Sequence, residues 1–383
     1  MSLEIRKVET KQMNQVFYTL PRKIYAGDDS WVQPLHSDIE SVFDSEKNAF
    51  YQKGETVRYV AFLDDEPVGR IAGMVNRAKD YQQKPSLGGF GFFESIDDDS
   101  VASALFDAVA GWLQARDLDG MRGPINFGET DRWWGLLIEN FETVPAYGMN
   151  YNPSYYVDLL RRYGFTKRHG QLSYVIGLEK PLPERLVKIA GRVLGRTNIE
   201  IRMINTNRLE SEAETIRHIY NTAWQEMDID NFFDTFTPLT KETVQQMIQE
   251  LKPILLPEGA WLAFVNGEPA SFVLTIPDIN QALRYLNGKL NLLTLPRFLW
   301  HKRKIDRLRV LAYGTIKKYR RLGLEAGMFV KGIRHFRDQH PRFTEVLAAW
   351  TGEENWLMQR SIEAVGGVVY RRHSTFQKLF DGN

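Results

Sequence analysis

The alternation of apolar and polar positions predicts the same series of elements twice along the 383-residue chain. In each half, a short alternating strand (3–9 and 199–205) precedes a helical region with polar breaks. A β-hairpin follows, at 57–75 and again at 261–276. The turn of the second hairpin is an Asn-Gly pair, which supplies the positive φ values that a tight hairpin turn requires.

Each half continues with a strand (88–93 and 309–315) and a long helix (100–116 and 323–337), and it closes with a strand, a helix and a last strand. Hairpins therefore come first, and strands alternate with helices later. This order predicts an α/β fold (a mixed α+β arrangement) in which each half is a mixed, mostly antiparallel sheet with helices on both faces.

Short sequence matches indicate that the two halves arose by duplication. They occur in the same order and at nearly constant separation, which chance does not readily produce. The matching pairs are 3–6 with 199–202, 61–67 with 263–269 and, more faintly, 160–164 with 362–366.

The join between the halves is marked by prolines at 181 and 183, which cannot donate to a β-ladder. A short basic amphipathic helix follows them. We therefore predict an N-terminal domain at 1–178, a linker helix within 179–198 and a C-terminal domain at 199–383.

Charge and composition exclude several classes of protein. Forty-nine Lys and Arg residues balance 48 Asp and Glu residues, which argues against a binder that neutralises many nucleic-acid phosphates. The absence of cysteine excludes disulfides, thiolate zinc sites and cysteine nucleophiles. No apolar secretory segment or membrane-length apolar run is visible in the sequence, so we expect a cytoplasmic protein.

The sharpest local signal is the segment 312–328, where a predicted strand leads through a basic turn into a helix. Free N–H groups and the macrodipole at a helix start attract anions. Arg320 and Arg321 add full charges, and Gly323 permits close backbone approach. The same residues also suit a basic surface turn before a helix.

The pattern Tyr-Arg-x-x-Gly-x-x-Ala at 319–326 resembles the pyrophosphate loop of the GCN5-related N-acetyltransferase (GNAT) superfamily, whose pattern is Gln/Arg-x-x-Gly-x-Gly/Ala. The match places Arg320 at the Gln/Arg position and Gly323 at the first glycine. Glu325 falls where that family has Gly or Ala. A carboxylate there weakens pyrophosphate binding unless it points away, pairs with an arginine, or the loop shifts by one residue so that Ala326 serves.

The resemblance covers nearly the whole chain as two copies, through the opening strands, the Glu-Pro hairpins and the late helices. The segment Gly-Phe-Phe-Glu at 91–94 and the segment Arg-Gly-Pro-Ile-Asn-Phe at 122–127 resemble a bacterial branch of tandem GNAT proteins. In the second half, Asn355 matches an asparagine of the family that faces the coenzyme. The coenzyme-binding residues that the resemblance implies are Tyr313, Gly314, Thr315, Arg320, Arg321, Leu322, Gly323, Leu324, Glu325, Ala326 and Asn355.

The resemblance also implies a chemistry: an amine or hydroxyl attacks the thioester of acetyl-CoA or a longer acyl-CoA directly. A backbone N–H near 313–315 polarises the carbonyl, a carboxylate takes the proton of the acceptor, and a tyrosine protonates the thiolate. At the usual tyrosine position this chain has Ile362. Tyr313 and Tyr370 are therefore the candidates for the acid, and Glu353 is the candidate for the base.

The two halves differ at the start of the long helix. Aligned through these helices, the basic turn of the second half faces Asp97, Asp98, Asp99 and Ser100 in the first. Asp and Ser are good helix caps, but three carboxylates repel a pyrophosphate. We predict that only the second half binds the coenzyme.

Two further segments distinguish the halves. The second half carries about 21 extra residues within 278–308, and their apolar run ending in a basic cluster at 290–304 either contacts a membrane surface or an acyl chain, or packs on the neighbouring domain. The first half carries 128–149, whose Trp133, Trp134 and Tyr147 either line a substrate cleft or are simply buried. We favour an acceptor pocket shaped by both segments.

The seven histidines show no metal-ligand spacing, so we expect no metal. The balanced charge and the scattered aromatic residues lead us to expect no nucleic-acid partner. The predicted function is acyl-CoA-dependent N- or O-acyl transfer to a small-molecule or peptide acceptor. The alternatives are an aminoacyl or peptidyl transferase of the tandem-GNAT kind and a non-catalytic acyl-CoA-binding protein.

Overall fold

The computed structural model describes residues 2–77, 79–82, 84–128, 130, 132–225 and 238–380. Through residue 194 the strands are β1 (Leu3–Lys7), β2 (Gly54–Leu63), β3 (Glu66–Asn76), β4 (Leu87–Ser95), β5 (Gly120–Gly123), β6 (Leu136–Glu139) and β7 (Thr166–Gly177). The α-helices of this part are α1 (Lys11–Thr19), α2 (Pro21–Ile24), α3 (His36–Val42), α4 (Asp99–Gln114), α5 (Tyr156–Tyr163) and α6 (Glu184–Leu194).

The remaining strands are β8 (Ile199–Met203), β9 (Ala260–Val265), β10 (Glu268–Pro277), β11 (Arg307–Thr315), β12 (Glu345–Gly352) and β13 (Val368–Leu379). The remaining α-helices are α7 (Leu209–Gln225), α8 (Lys241–Leu251), α9 (Asn280–Leu283), α10 (Leu295–Lys302), α11 (Leu324–Gln339) and α12 (Trp356–Glu363). The predicted α/β class with mixed sheets is confirmed, because antiparallel hairpins and the parallel pairs β4–β5 and β11–β12 occur together.

Both predicted hairpins turn at two residues with positive φ. The β9–β10 turn has φ values of 52° at Asn266 and 79° at Gly267, and the β2–β3 turn has 47° at Asp64 and 64° at Asp65. Two consecutive left-handed residues match the twist of the flanking strands, and Asn, Asp and Gly adopt that conformation most readily. The same turn therefore closes the equivalent hairpin in both halves.

The chain forms two compact units. The first unit contains Met1–Gln171, Ala282–Trp300 and Arg371–Asn383, and the second contains Leu172–Gln281 and His301–Tyr370. In the first unit the end of β13 pairs antiparallel with β5, from Phe376↔Gly123 to Leu379↔Gly120. In the second unit the end of β7 lies beside β12. The predicted boundaries at 178 and 199 follow the sequence repeat, whereas the units follow this exchange of closing strands.

The core of the first unit is built on α4. Its Val101, Leu105, Phe106, Val109 and Leu113 are fully buried and pack in one cluster with residues of β3 and β4. Positions separated by three or four residues share one face of a helix, which explains why these five side chains point to the sheet together.

The core of the second unit joins α11 to the sheet β8–β11. Leu324 and Met328 of α11 cluster with Phe272 of β10, and Val193 of α6 belongs to the same cluster. The predicted linker helix is thus α6, and its apolar face packs in this core. Among the described residues, every helix is either too short or too polar to span a bilayer.

Candidate acyl-coenzyme site

Strand β11 of the second unit has described pairs with β12 along its first part only. Its described register pairs with β10 continue to Ser271↔Thr315, whereas those with β12 run only from Arg307↔Glu345 to Val310↔Ala348. The last residues of β11, Tyr313 to Thr315, therefore have a described partner strand on one side only. Backbone groups on the other side of this segment are where the resemblance places the polarising N–H.

The loop after β11 delivers an uncapped helix start. A 3-10 turn at Lys317–Tyr319 leads to Arg321 with a φ of 73° and to Gly323 with a φ of 79°. Gly323 is the N-cap of α11, and no side chain among the described residues caps the helix. The first N–H groups of α11 are therefore available to an anion.

Gly323 is required by packing as well as by conformation. A Cβ there would lie 2.9 Å from Cγ2 of Ile189 and 3.2 Å from Cγ2 of Val193, both on α6. Any other residue at position 323 would therefore be disfavoured twice, by these close contacts of its Cβ and by the left-handed backbone. Helix α6 thus packs directly against the loop that we predicted to bind the coenzyme.

Glu325 turns toward the strand. Its Oε1 accepts a hydrogen bond of 3.0 Å from Oγ1 of Thr315, which also lies 2.7 Å from Oγ of Ser271. The hydroxyl of Thr315 thus holds the carboxylate at the end of β11. No described ion pair joins Glu325 to Arg320 or Arg321.

Tyr313 lies beside this carboxylate, with its hydroxyl surrounded by protein. Burial raises the pKa of the Tyr313 hydroxyl well above its usual value, and the negative charge of Glu325 raises it further. The hydroxyl consequently stays protonated at neutral pH. That is the state in which a general acid donates to a leaving thiolate.

The guanidinium of Arg320 donates hydrogen bonds to backbone carbonyls of the protein. Its Nε donates to the carbonyl of Thr315 at 3.1 Å and its Nη2 to that of Ala223 at 3.2 Å. This guanidinium therefore ties the loop to β11 and α7. Arg321 is exposed and Leu322 is partly exposed, whereas Leu324 and Ala326 are buried, so the latter two can meet an anion only through their backbone.

The structure brings together the predicted residues Tyr313 to Thr315 and Arg320 to Ala326, and it places the other three predicted residues on different elements. Asn355 caps α12, accepting from the N–H of Met358 at 3.2 Å. The carbonyl of Glu353, just before that helix, accepts from Nε2 of Gln359 at 2.8 Å. Tyr370 lies on β13. The coenzyme and catalytic roles of all the predicted site residues, these three included, stay predictions.

Ile362, at the usual tyrosine position, is a packing residue. It is buried, and a Cβ on Gly367 would lie 2.6 Å from its Cγ2. The turn after α12 therefore closes over an apolar side chain.

Trp224, Tyr220 and Ser271 join the site without having been predicted. A Cβ on Gly314 would lie 2.6 Å from Cζ3 of Trp224, so only glycine lets α7 approach β11 this closely. Tyr220 stacks on Trp224 with ring centroids 4.1 Å apart. Their spacing of four residues places both on one helix face, and this was the one available sequence signal.

The equivalent position of the first unit is filled by its own side chains. Asp98 caps α4, accepting from the N–H groups of Ser100 at 2.8 Å and Val101 at 3.2 Å. At the end of β4, the N–H of Ser95 donates to the hydroxyl of Tyr156 at 2.8 Å. These contacts support the prediction that the first half does not bind the coenzyme.

A buried polar network continues from that point. Glu94 accepts from the hydroxyls of Tyr25 at 2.7 Å and Tyr156 at 2.9 Å, and Arg70 lies 3.3 Å away. Burial raises the pKa of the Glu94 carboxyl, an effect that the Arg70 guanidinium opposes. The network thus joins the end of β4 to Tyr25 and Arg70.

The segments 128–149 and 278–308, which distinguish the two halves, each contain buried side chains, and the second also contains exposed leucines. Trp133 lies 5.6 Å from Phe92, centroid to centroid, and packs with Trp134 on a core of the first unit. Leu283 and Leu286 are buried in that unit, but Leu292 and Leu293 are exposed. Neither segment is described as lining a pocket of the second unit, and the predicted acceptor pocket stays a prediction.

No family model matches the chain. A tandem GNAT protein from the clavulanic acid biosynthesis pathway superposes over 100% of both chains with a TM-score of 0.58 and 10% identity. The chain has a tandem GNAT fold. A GCN5-related N-acetyltransferase from Sphaerobacter thermophilus gives a TM-score of 0.52 at 13% identity, over 98% of this chain and 95% of that one.

Two curated proteins resemble this chain along nearly its whole length. The bacterial ceramide synthase of Caulobacter vibrioides (strain NA1000 / CB15N) is 26% identical over 381 residues, covering 98% of this chain and 97% of that protein. Protein YghO of Escherichia coli (strain K12) is also 26% identical, covering 98% and 95%. The resemblance predicted from the loop is thus confirmed at the level of the fold.

Proposed function

We propose that the protein is an acyl-CoA-dependent N-acyltransferase that uses the site at the end of β11 and acylates a long-chain amino alcohol. The observation that carries the acyl-CoA assignment is the uncapped start of α11 next to a strand end with a partner on one side only. A pyrophosphate would take the free N–H groups of the helix. The pantetheine arm would follow the open side of Tyr313 to Thr315.

The acceptor class is supported by the similarity to the bacterial ceramide synthase over 98% of this chain. A ceramide is an amide of a fatty acid with the amino group of a long-chain amino alcohol. We therefore place the amine of such a base as the nucleophile, and a fatty acyl-CoA as the donor.

In the reaction, the amine nitrogen attacks the thioester carbonyl carbon, the C–N bond forms, and the C–S bond breaks as the tetrahedral intermediate collapses. Backbone N–H groups near Tyr313 to Thr315 would hold the developing oxyanion. The nitrogen loses a proton to a base, for which Glu353 is the candidate. The leaving thiolate gains one from Tyr313, whose raised pKa keeps it protonated.

Calorimetric titration tests the donor. Acetyl-CoA, palmitoyl-CoA and free CoA are titrated into the wild-type protein, and we expect binding of CoA compounds in a ratio of one per chain. If the wild-type protein bound none of these compounds, the acyl-CoA assignment would be wrong.

A turnover assay tests the acceptor. Release of CoA thiol is measured with palmitoyl-CoA and sphinganine, and with a short amine and a long-chain alcohol as controls. We expect release with sphinganine above both controls. Binding without release across the whole panel would instead identify an acyl-CoA-binding protein.

A further inference from the structure

Three side chains that the proposed function does not use converge at the far end of α11 from the acyl-coenzyme loop. Glu258 lies in a 3-10 turn before β9, His335 on α11, and His340 directly after that helix. One ligand atom from each lies within 4.8 Å of the other two. Oε1 of Glu258 lies 3.6 Å from Nε2 of His340.

The second observation is that Nε2 of His335 is buried and makes no hydrogen bond to any described residue. Leaving such an atom unsatisfied costs free energy. The surroundings are aromatic, with Trp261 and Phe336 each 6.3 Å from the His335 ring, centroid to centroid. Neither ring supplies a hydrogen-bonding atom to that nitrogen.

We propose that Glu258, His335 and His340 bind a zinc ion. Two imidazole nitrogens and one carboxylate oxygen form a donor set that zinc prefers over magnesium, with the fourth position left for water. Ligand atoms about 2 Å from a common ion sit roughly 3.3 Å apart, so small side-chain rotations complete the site. The negative end of the α11 macrodipole also favours a cation.

Such an ion would tie the turn before β9 to the end of α11. Nε1 of Trp261 already holds the turn by donating to the carbonyl of Glu258 at 2.7 Å. Because binding only to the folded state stabilises it, zinc should raise the melting temperature of the protein.

The test is a titration of ZnCl2 into EDTA-treated, dialysed protein, with MgCl2 as a second probe. The variants are His335→Ala, His340→Ala and the near-isosteric Glu258→Gln, and the matched control is His218→Ala, an exposed histidine of the same unit. We expect one zinc per chain in wild type and H218A, at least a tenfold weaker affinity in the three ligand variants, and no magnesium binding. Circular dichroism without metal checks that each variant is folded.

Zinc binding that is absent in wild type, or equally tight in folded H335A and H340A, would overturn the site. A zinc-induced rise in melting temperature that persists in all three ligand variants would do the same.

A different observation carries a second proposal. The segment 290–300 of the first unit is called here the apolar tip. Its exposed apolar side chains are Leu292 (87% exposed), Leu293 (90%), Leu299 (49%) and Trp300 (55%). Asn291 fixes the turn, accepting from the N–H groups of Leu293 at 3.0 Å and Thr294 at 3.1 Å. The leucines are therefore held outward by an ordered turn.

The base of the tip is anchored in the first unit. The N–H of His36 donates to the carbonyl of Gly288 at 2.8 Å, and Phe298 is buried. Lys289 and Arg297 are exposed beside the leucines, and the sequence continues directly into Lys302, Arg303 and Lys304. Exposed apolar side chains next to cations are the combination that anionic bilayer surfaces attract.

We propose that the apolar tip docks on an anionic lipid surface. This docking rests on the proposed function. A long-chain acceptor resides in a bilayer, so an enzyme that acylates it must reach the bilayer surface. Docking and acyl-CoA binding are measured separately, so either can fail alone.

The test is co-sedimentation with vesicles of phosphatidylglycerol and phosphatidylcholine, compared with phosphatidylcholine alone. The variant is Leu292→Asp/Leu293→Asp, and the matched control is Leu379→Asp, another exposed leucine of the first unit. We expect binding to anionic vesicles that weakens in high salt, falls at least tenfold in the double variant, and persists in the control. Calorimetry should give unchanged acyl-CoA affinity in all three proteins.

No sedimentation of wild type with anionic vesicles would overturn the docking. A wild-type dimer that the double variant dissociates, without vesicle binding, would assign the tip to a second copy of the chain instead.

Discussion

The starts of α4 and α11 occupy the same place in two copies of one fold and have opposite chemistry. In the first unit Asp98 caps α4 and Tyr156 holds the N–H of Ser95. In the second unit Gly323 leaves α11 uncapped. Ser95 and Thr315 are equivalent, because each lies at the end of its strand opposite the matching residue of the neighbouring strand, Gly69 or Ser271.

The fold places a helix start at the end of the strand in both units, and a few polar atoms decide whether its N–H groups are capped from within or left free. An internal carboxylate at a helix start satisfies the N–H groups that an external phosphate would otherwise take. The first unit thereby gains stability, whereas the helix start of the second has no side-chain cap and stays open to the phosphate that we propose.

The largest effect is expected from Tyr313→Phe. If Tyr313 protonates the thiolate, kcat should fall by about a hundredfold or more, the usual scale of general acid catalysis, while the Kd for acyl-CoA changes little. Because the Tyr313 pKa is raised, wild-type kcat should show no loss from this group as pH rises to about 10. Steady-state kinetics across pH measure both, with Tyr370→Phe as the control; a larger loss in Y370F would move the acid to that residue.

Gly323→Asp would copy the first unit's capping carboxylate into the second. The aspartate would occupy the free N–H groups and repel the pyrophosphate, so we expect acyl-CoA affinity to fall by about a hundredfold, or about 2.7 kcal/mol. Calorimetry measures the loss. Gly323→Ala separates backbone strain from charge, and equal losses in both variants would contradict the electrostatic explanation.

Tyr156→Phe would open the strand end of the first unit. It removes the hydroxyl that accepts from the N–H of Ser95 and donates to Glu94. The buried Ser95 N–H then loses its acceptor and Glu94 keeps Tyr25 and Arg70 as partners, which should lower the free energy of unfolding by about 2 kcal/mol. Urea denaturation measures this loss. The Kd for acyl-CoA should not change; a change would place coenzyme in the first unit.

The smallest effect is expected from Asp98→Ala, which removes the α4 cap and should cost about 1 kcal/mol of stability. Acyl-CoA affinity should again be unaffected. A gain of a second acyl-CoA site in D98A would show that the cap alone had closed the first unit to coenzyme.

Local chemistry made much of this predictable. The Asn-Gly turn, the glycine at the start of α11 and the three aspartates at the start of α4 each act within a few residues, so short segments contain their full explanation. The direction of Glu325 was left open, since it depends on Thr315 and on the packing of β10 beside β11. Arg320 was assigned to phosphate by pattern, yet its guanidinium bonds carbonyls of β11 and α7.

By itself the sequence determined the duplication, the order of elements and the contrast between the two helix starts, because periodicity, turns and caps are properties of neighbouring residues. Only the tertiary structure decided which strand closes each sheet, that Trp224 covers Gly314, and that Glu258 meets His335 and His340. These contacts join residues far apart in the chain. Their partners are selected by packing and hydrogen-bond satisfaction, which no local pattern encodes.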